Sequence, residues 1–140
     1  MNLENKNSFT LIELLVVITI IGILSTLILV NIPNIRAKTR DTRRVSDIKS
    51  IQEGLAMYYS NNQLYPFPYL EPGQEIDGAD PVSTALIADG VMHGVSGDPL
   101  DDVPYGYSYI SVDGRDYQVK YHLETDSIQG HNQGENIVKP

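Results

Sequence analysis

Glu13 is the side chain that asks most of its surroundings. It is the only charged member of Phe9-Thr10-Leu11-Ile12-Glu13-Leu14-Leu15-Val16-Val17-Ile18. An acid inside hydrocarbon costs about 2.5–3.5 kcal/mol on insertion scales, so it must protonate or meet a cation. A cation on a neighbouring helix would favour one axial stagger, as a buried polar residue fixes register in a coiled coil. A second set of candidates lies in acidic loops. Asp98, Asp101, Asp102, Asp113 and Asp116 offer the hard oxygen ligands that Ca²⁺ requires. They lack the Asp-x-Asp-x-Asp-Gly loop pattern, and turn-forming surface aspartates are the alternative. Catalytic signals are missing. His93, His122 and His131 have no metal-ligand spacing, and no Gly-x-Ser-x-Gly elbow or phosphate-binding glycine loop occurs. The sequence therefore predicts no enzyme.

The elements that must position these groups begin with an uncharged run from Leu14 to Ile35. As a helix it spans roughly 33 Å, enough for a hydrocarbon core of about 30 Å. The run exceeds the apolar region of a secretory signal, and no small-residue cleavage site follows it. Pro33 loosens a helix at that point, and Gly22 and Ser25-Thr26 lower helix propensity. From residue 36 to 61 the helix continues as an amphipathic segment. Val45, Ile48, Ile51, Leu55 and Tyr58 recur at three- and four-residue intervals on one face. Arg43 and Arg44 read as a solvated face or as a contact with acidic surfaces or lipid headgroups, with Asp47 near enough to pair with either.

The helix stops in Ser60-Asn61-Asn62-Gln63, before the alternating prolines Pro66 and Pro68. Residues 69–104 read as loop-rich, with a short helix over Val82–Ala88 capped near Asp80. Tyr105–Ile110 and Tyr117–Leu123 alternate as strands joined at Asp113-Gly114, with tyrosines filling one half-buried face. His122 falls on the polar side. The tail after Thr125 reads as loosely held.

Charge is divided unevenly over the 140 residues. Residues 1–60 carry seven Lys/Arg and five Asp/Glu, whereas residues 61–140 carry three and thirteen. So acidic a C-terminal part is a poor fit for unaided nucleic-acid binding. It suits a soluble surface or one that recruits cations. Without cysteine there is no disulfide, thiolate site or cysteine nucleophile.

Ser8-Phe9-Thr10-Leu11-Ile12-Glu13-Leu14, behind a polar leader and followed by Gly22, resembles the processing signal of type IV pilins and type II secretion pseudopilins. The resemblance runs through about Asn34. Ser8 stands where that family usually has Gly, and Pro33 lies a few residues later than is common. The resemblance implies cleavage between Ser8 and Phe9 by a prepilin peptidase, N-methylation of Phe9, and a role for Glu13 in assembly opposite the freed Phe9 amine. The Tyr58-Tyr59 pair, polar turn and Tyr65-Pro66 resemble pseudopilins as well. So does Asp98-Pro99-Leu100-Asp101-Asp102-Val103-Pro104-Tyr105, with Leu100 in place of a family Trp; in that family a nearby loop binds calcium. Many major pilins carry a C-terminal disulfide, so a cysteine-free chain leans toward pseudopilins or cysteine-free pilins.

The expected architecture is α+β: leader 1–8, transmembrane and assembly helix 9–35, amphipathic helix 36–61, and a head at 62–140 with a small antiparallel sheet. The implied partners are further copies of the chain in a filament, a prepilin peptidase, an assembly platform with its ATPase, minor pilins or pseudopilins, and membrane lipid before assembly. The expected location is the cytoplasmic membrane with the head outside, then an extracellular or periplasmic filament. One count opposes it. Arg36, Lys38, Arg40, Arg43, Arg44 and Lys49 follow the apolar run, and flanking positive charge favours the cytoplasmic side. A membrane-anchored binding module that does not polymerise is the rival class, and it would tolerate Glu13→Leu.

Overall fold

A computed structural model describes residues 9–100 and 102–140, with side chains throughout except at residues 27–31. The architecture is α+β. Helix α1 (Leu11–Asn62) is followed by β1 (Tyr69–Glu75), α2 (Pro81–Ala88), β2 (Ser108–Ser111), β3 (Gln118–Leu123) and β4 (Gly134–Val138). The chain divides into two compact units, the first ending at Arg36 and the second spanning Ala37–Pro140.

In the first unit the apolar side chains of α1 from Leu11 to Leu24 are exposed. Its hydroxyls are satisfied internally. Thr19 Oγ1 donates to the Leu15 carbonyl, Ser25 Oγ to Ile21 and Thr26 Oγ1 to Gly22, at 2.7–2.9 Å. These polar residues therefore need no water, which lets them sit in an apolar stretch. Pro33 lies inside the helix, where its missing N–H deprives the carbonyl four residues earlier of its donor. Among the described residues no helix is long and apolar enough to cross a membrane.

In the second unit the amphipathic part of α1 lies on one face of a four-stranded antiparallel sheet ordered β1-β2-β3-β4. Ile48, Ile51 and Leu55, at helical spacing, meet Tyr107, Tyr109, Tyr117, Val119, Tyr121 and Leu123 from the sheet side. Ile76, Val82 and Leu86 close the core. The strict alternation of β3 puts Val119, Tyr121 and Leu123 inside and Lys120 and His122 outside. Tyrosines fill this core because their rings pack edge-on and stacked while their hydroxyls find partners. Tyr65 meets Tyr117 edge-on at 4.8 Å between centroids, and Tyr109 OH donates to the Pro66 carbonyl at 2.9 Å. α2 is capped by Asp80, whose Oδ1 accepts from Val82 N and Ser83 N at 2.9 Å, with Pro81 at the first helical position.

Two strands arise where loop or a loosely held tail is expected. β1 contains Pro72 and Gly73, yet it forms as an edge strand whose register with β2 shifts between Tyr69 and Gln74. An edge strand at a bulge is where a residue without N–H is tolerated. β4 lies in the polar tail and pairs with β3 from Val119↔Val138 to Leu123↔Gly134. Its neighbouring turn is held by Asn136, whose Nδ2 donates to the carbonyls of Asn132 and Gly134 at 2.7 and 3.0 Å. Tyr105 and Tyr107 fall outside β2, which is shorter than the alternating pattern suggests.

The β2–β3 turn is locked to the end of α1. Tyr65 N donates to the Gly114 carbonyl at 2.7 Å, and Gly114 has φ +76°. A Cβ there would lie 2.8 Å from Phe67 Cδ1 and 3.1 Å from the Tyr65 carbonyl oxygen. Gly130 has a similar φ of +83° with open space around it. Both substitutions to Ala carry a left-handed backbone penalty of about 1–2 kcal/mol. Gly114→Ala adds overlap, so its urea midpoint should fall clearly below that of Gly130→Ala. Equal midpoints would show that the turn does not pack against Phe67.

Candidate functional site

The N-terminal site is built from Thr10 and Glu13. Thr10 precedes the first helical residue and Glu13 is the third within it. Glu13 Oε2 accepts from Thr10 N at 2.8 Å and from Thr10 Oγ1 at 2.7 Å, and Thr10 Oγ1 accepts from Glu13 N at 3.3 Å. This is a capping box, in which two helix-end donors are satisfied reciprocally. The carboxylate is thus fixed at the first turn of α1, where the helix dipole favours negative charge. Phe9 is exposed beside it. Ser8 lies outside the described residues. The Thr-x-x-Glu spacing was the signal for this local role, and it is distinct from any role between copies.

The second site is a buried ion cluster around Arg44. The Arg44 side chain is fully buried, as is that of Asp41. Its Nε and Nη2 contact the two oxygens of Asp98 at 2.6 and 3.0 Å, and Nη1 reaches Asp41 Oδ1 at 2.9 Å and Glu124 Oε1 at 2.6 Å. The guanidinium also lies 4.5 Å over the Tyr105 ring. Arg40 makes a two-point contact with Glu124. Asp41 in turn accepts from Glu124 N and from Thr125 N and Oγ1 at 2.7–2.9 Å. Three segments distant in sequence therefore converge on one turn of α1.

Burial acts to lower the Arg44 pKa, but hydrogen bonds to Asp98, Glu124 and Asp41 overcome it and raise the value. Hydrogen bonds from Arg40 and Arg44 hold the Glu124 carboxyl below its ordinary value against the effect of burial. Burial, followed by the nearby Asp47 charge, pushes the Tyr107 hydroxyl well up. The expectation of a solvated Arg44 or of an Arg44–Asp47 pair is corrected: Asp47 pairs with Arg43 at 3.5 Å and accepts from Tyr107 OH at 3.1 Å. The signal was present. Asp41 and Arg44 occupy the same three- and four-residue rhythm as Ile48, Ile51 and Leu55, so two charges lie on the apolar stripe.

The candidate metal ligands are dispersed. Asp98 is committed to Arg44 and also accepts from Leu100 N at 2.8 Å. Asp102 Oδ1 accepts from Val103 N, and Asp113 Oδ1 from Arg115 N. Asp113 and Asp116 line one groove of about 520 Å³ at the β2–β3 turn. That turn meets the chain at Tyr65, just past Asn62, whereas Asp98 meets α1 at Arg44; these points on the helix are about 27 Å apart. The structure thus brings Asp113 and Asp116 together but not Asp98. Asp101 lies outside the described residues. Among the described residues no group of three or more His, Cys, Asp or Glu side chains is placed to hold a metal ion.

The sequence profile of the prokaryotic N-terminal methylation motif matches residues 4–29. The type II secretion system core protein G of Escherichia coli K12 is 31% identical over 111 residues, covering 78% of this chain and 73% of that protein. Its namesake in Aeromonas hydrophila is 38% identical over 66 residues, 47% of this chain and 46% of that protein. The Pectobacterium carotovorum protein of that name is 39% identical over 61 residues, 44% of this chain and 39% of that protein. No solved structure gives a significant match.

Arg44→Met leaves Asp41 and Asp98 buried without their cation, and should cost about 3–5 kcal/mol in urea denaturation. A loss below 1 kcal/mol would mean that the cluster is solvated. Because Glu124 has a folded pKa below its ordinary 4.5, its contribution is complete above that value and is lost as pH falls through the folded one. The melting temperature should therefore hold near neutrality and fall below about pH 4.5, less steeply in Glu124→Gln. With Asp98 engaged by Arg44, removal of calcium by chelator should leave the melting temperature unchanged; a drop of several degrees reversed by calcium would show that the aspartates assemble a site.

Proposed function

The chain belongs to the type IV pilin and type II secretion pseudopilin family, and from that membership we propose that it is a structural subunit, pilin or major pseudopilin, that polymerises into a helical filament. The observation that carries this reading is the N-terminal arrangement: one carboxylate held by Thr10 at the first turn of an exposed apolar helix, four residues after an exposed Phe9. A helix whose apolar side chains from Leu11 to Leu24 are uncovered must be covered by lipid or by other helices.

In this reading the chain waits in the cytoplasmic membrane through residues 9–35 with its head outside. A prepilin peptidase cuts between Ser8 and Phe9, and the Phe9 amine is methylated. An assembly platform and ATPase then draw the subunit into a periplasmic or extracellular filament, with minor pseudopilins as further partners. The new amine carries a positive charge one helical turn from Glu13. The capping box holds the Glu13 carboxylate in place, so a neighbouring copy meets an acceptor of fixed position. Packing among Leu, Ile and Val supplies contact area, and the amine–carboxylate pair selects the stagger.

Mass spectrometry of protein co-produced with a competent prepilin peptidase should find a mature chain that begins at N-methylated Phe9. Glu13→Leu should abolish filament formation while the head retains its melting temperature. A chain that keeps Met1, together with normal filaments from Glu13→Leu, would favour the membrane-anchored binding module.

A further inference from the structure

The second unit carries opposite charge on two separate surfaces, and the spacing of the charges matches. On α1, Lys38 and Lys49 are three helical turns apart, which puts them on one line of the helix about 16 Å from each other. Both are exposed, and among the described residues neither enters an ion pair. The other surface is the face of the sheet turned away from α1. There Glu75 lies across from Ser108, Ser108 from Lys120, and Lys120 from Ile137, while Glu135 lies across from His122. Glu71 is matched by Lys120 Nζ at 2.9 Å. Glu75 and Glu135 are exposed, share a groove of about 440 Å³, and enter no ion pair among the described residues. They belong to the two outer strands, one register step of two residues apart. Three strand spacings and that step separate them by about 16 Å.

From this complementarity we infer that the Lys38–Lys49 line of one subunit docks on the Glu75–Glu135 face of a second copy of the chain. The inference rests on the filament reading and names the surface through which heads meet. The two patches are different, so the contact is heterologous: each subunit uses its helix flank toward one neighbour and its sheet face toward another. Such a contact repeats without closing unless the rotation between subunits closes a ring, and it therefore suits a helical polymer. Exposed pairs of this kind select register and partner more than they add affinity. The contact would complement the N-terminal amine–carboxylate pair, which lies in the other unit of the chain.

The chain contains no cysteine, so engineered pairs report contacts without background. Full-length chain carrying Lys49→Cys and Glu135→Cys, assembled by its own machinery and treated with a short bis-maleimide, should give a ladder of covalent multimers. Lys49→Cys with Asp89→Cys, which is off the sheet face, should give none. Reversing Glu75 and Glu135 to Lys should lower filament yield roughly tenfold or more, and adding Lys38→Glu and Lys49→Glu should restore most of it. Unchanged melting temperatures would assign the effect to assembly. Three results overturn the inference and leave the filament reading standing: normal yield with both acids reversed, no ladder from abundant filaments, or a dimer band alone. Binding of phosphatidylglycerol vesicles that is lost in Lys38→Glu/Lys49→Glu, with filament yield indifferent to both reversals, also overturns it and assigns the lysines to lipid. If the unaltered chain forms no filament with its machinery present, the filament reading falls and this contact falls with it.

Discussion

The second unit depends on the fully buried Arg44 guanidinium. An arginine without solvent is tolerable only if its fork is filled, and here Asp98 fills one edge while Asp41 and Glu124 share the rest. The consequence reaches beyond the ion pairs. Asp98 fixes the loop that leads to Tyr105 and β2. Glu124 and Thr125, bonded to Asp41, fix the exit from β3. The apolar core holds sheet and helix together, but apolar packing is forgiving of small sliding. A planar cation with three partners is not, so the cluster sets where along α1 the head is seated.

Much of the fold was legible because it rests on periodicity. The spacing of Ile48, Ile51 and Leu55 located the buried stripe, Asp80-Pro81 announced α2, and Asp113-Gly114 between alternating segments announced the β2–β3 hairpin. Strands β1 and β4 were illegible for opposite reasons. In β1, Pro72 and Gly73 read as breakers, and only the edge position and the register shift admit them. In β4 the composition is polar because one side faces water, and pairing with β3 supplies the order that sequence alone does not. Positive charge normally marks solvent, and two of the three carboxylate partners of Arg44, Asp98 and Glu124, are 54 and 80 residues away and invisible in any local window; only Asp41, three residues before it, is near in sequence. The aspartates are close in composition but not in space: Asp98 bonds Arg44, whereas the Asp113–Gly114 turn meets the chain at Tyr65, about 27 Å further along the line of α1.

At the N-terminus the same residue serves two scales. Within one chain Glu13 closes the N-terminal end of the helix by bonding Thr10; in the filament proposed above, the same carboxylate is the acceptor for a liberated amine. A carboxylate has several lone-pair positions, so the local bonds do not exhaust it. Part of the solvation that an acid loses in an apolar stretch is thereby replaced by bonds from its own helix end.

The Asn136 side chain, bonded to the carbonyls of Asn132 and Gly134, occupies backbone acceptors at the start of the edge strand β4. At the opposite margin, Pro72 and the register shift interrupt the other free backbone. Exposed sheet margins carry a particular hazard. Copies can zip strand to strand into highly stable cross-β fibrils. With both margins blunted, side-by-side backbone growth between copies is discouraged.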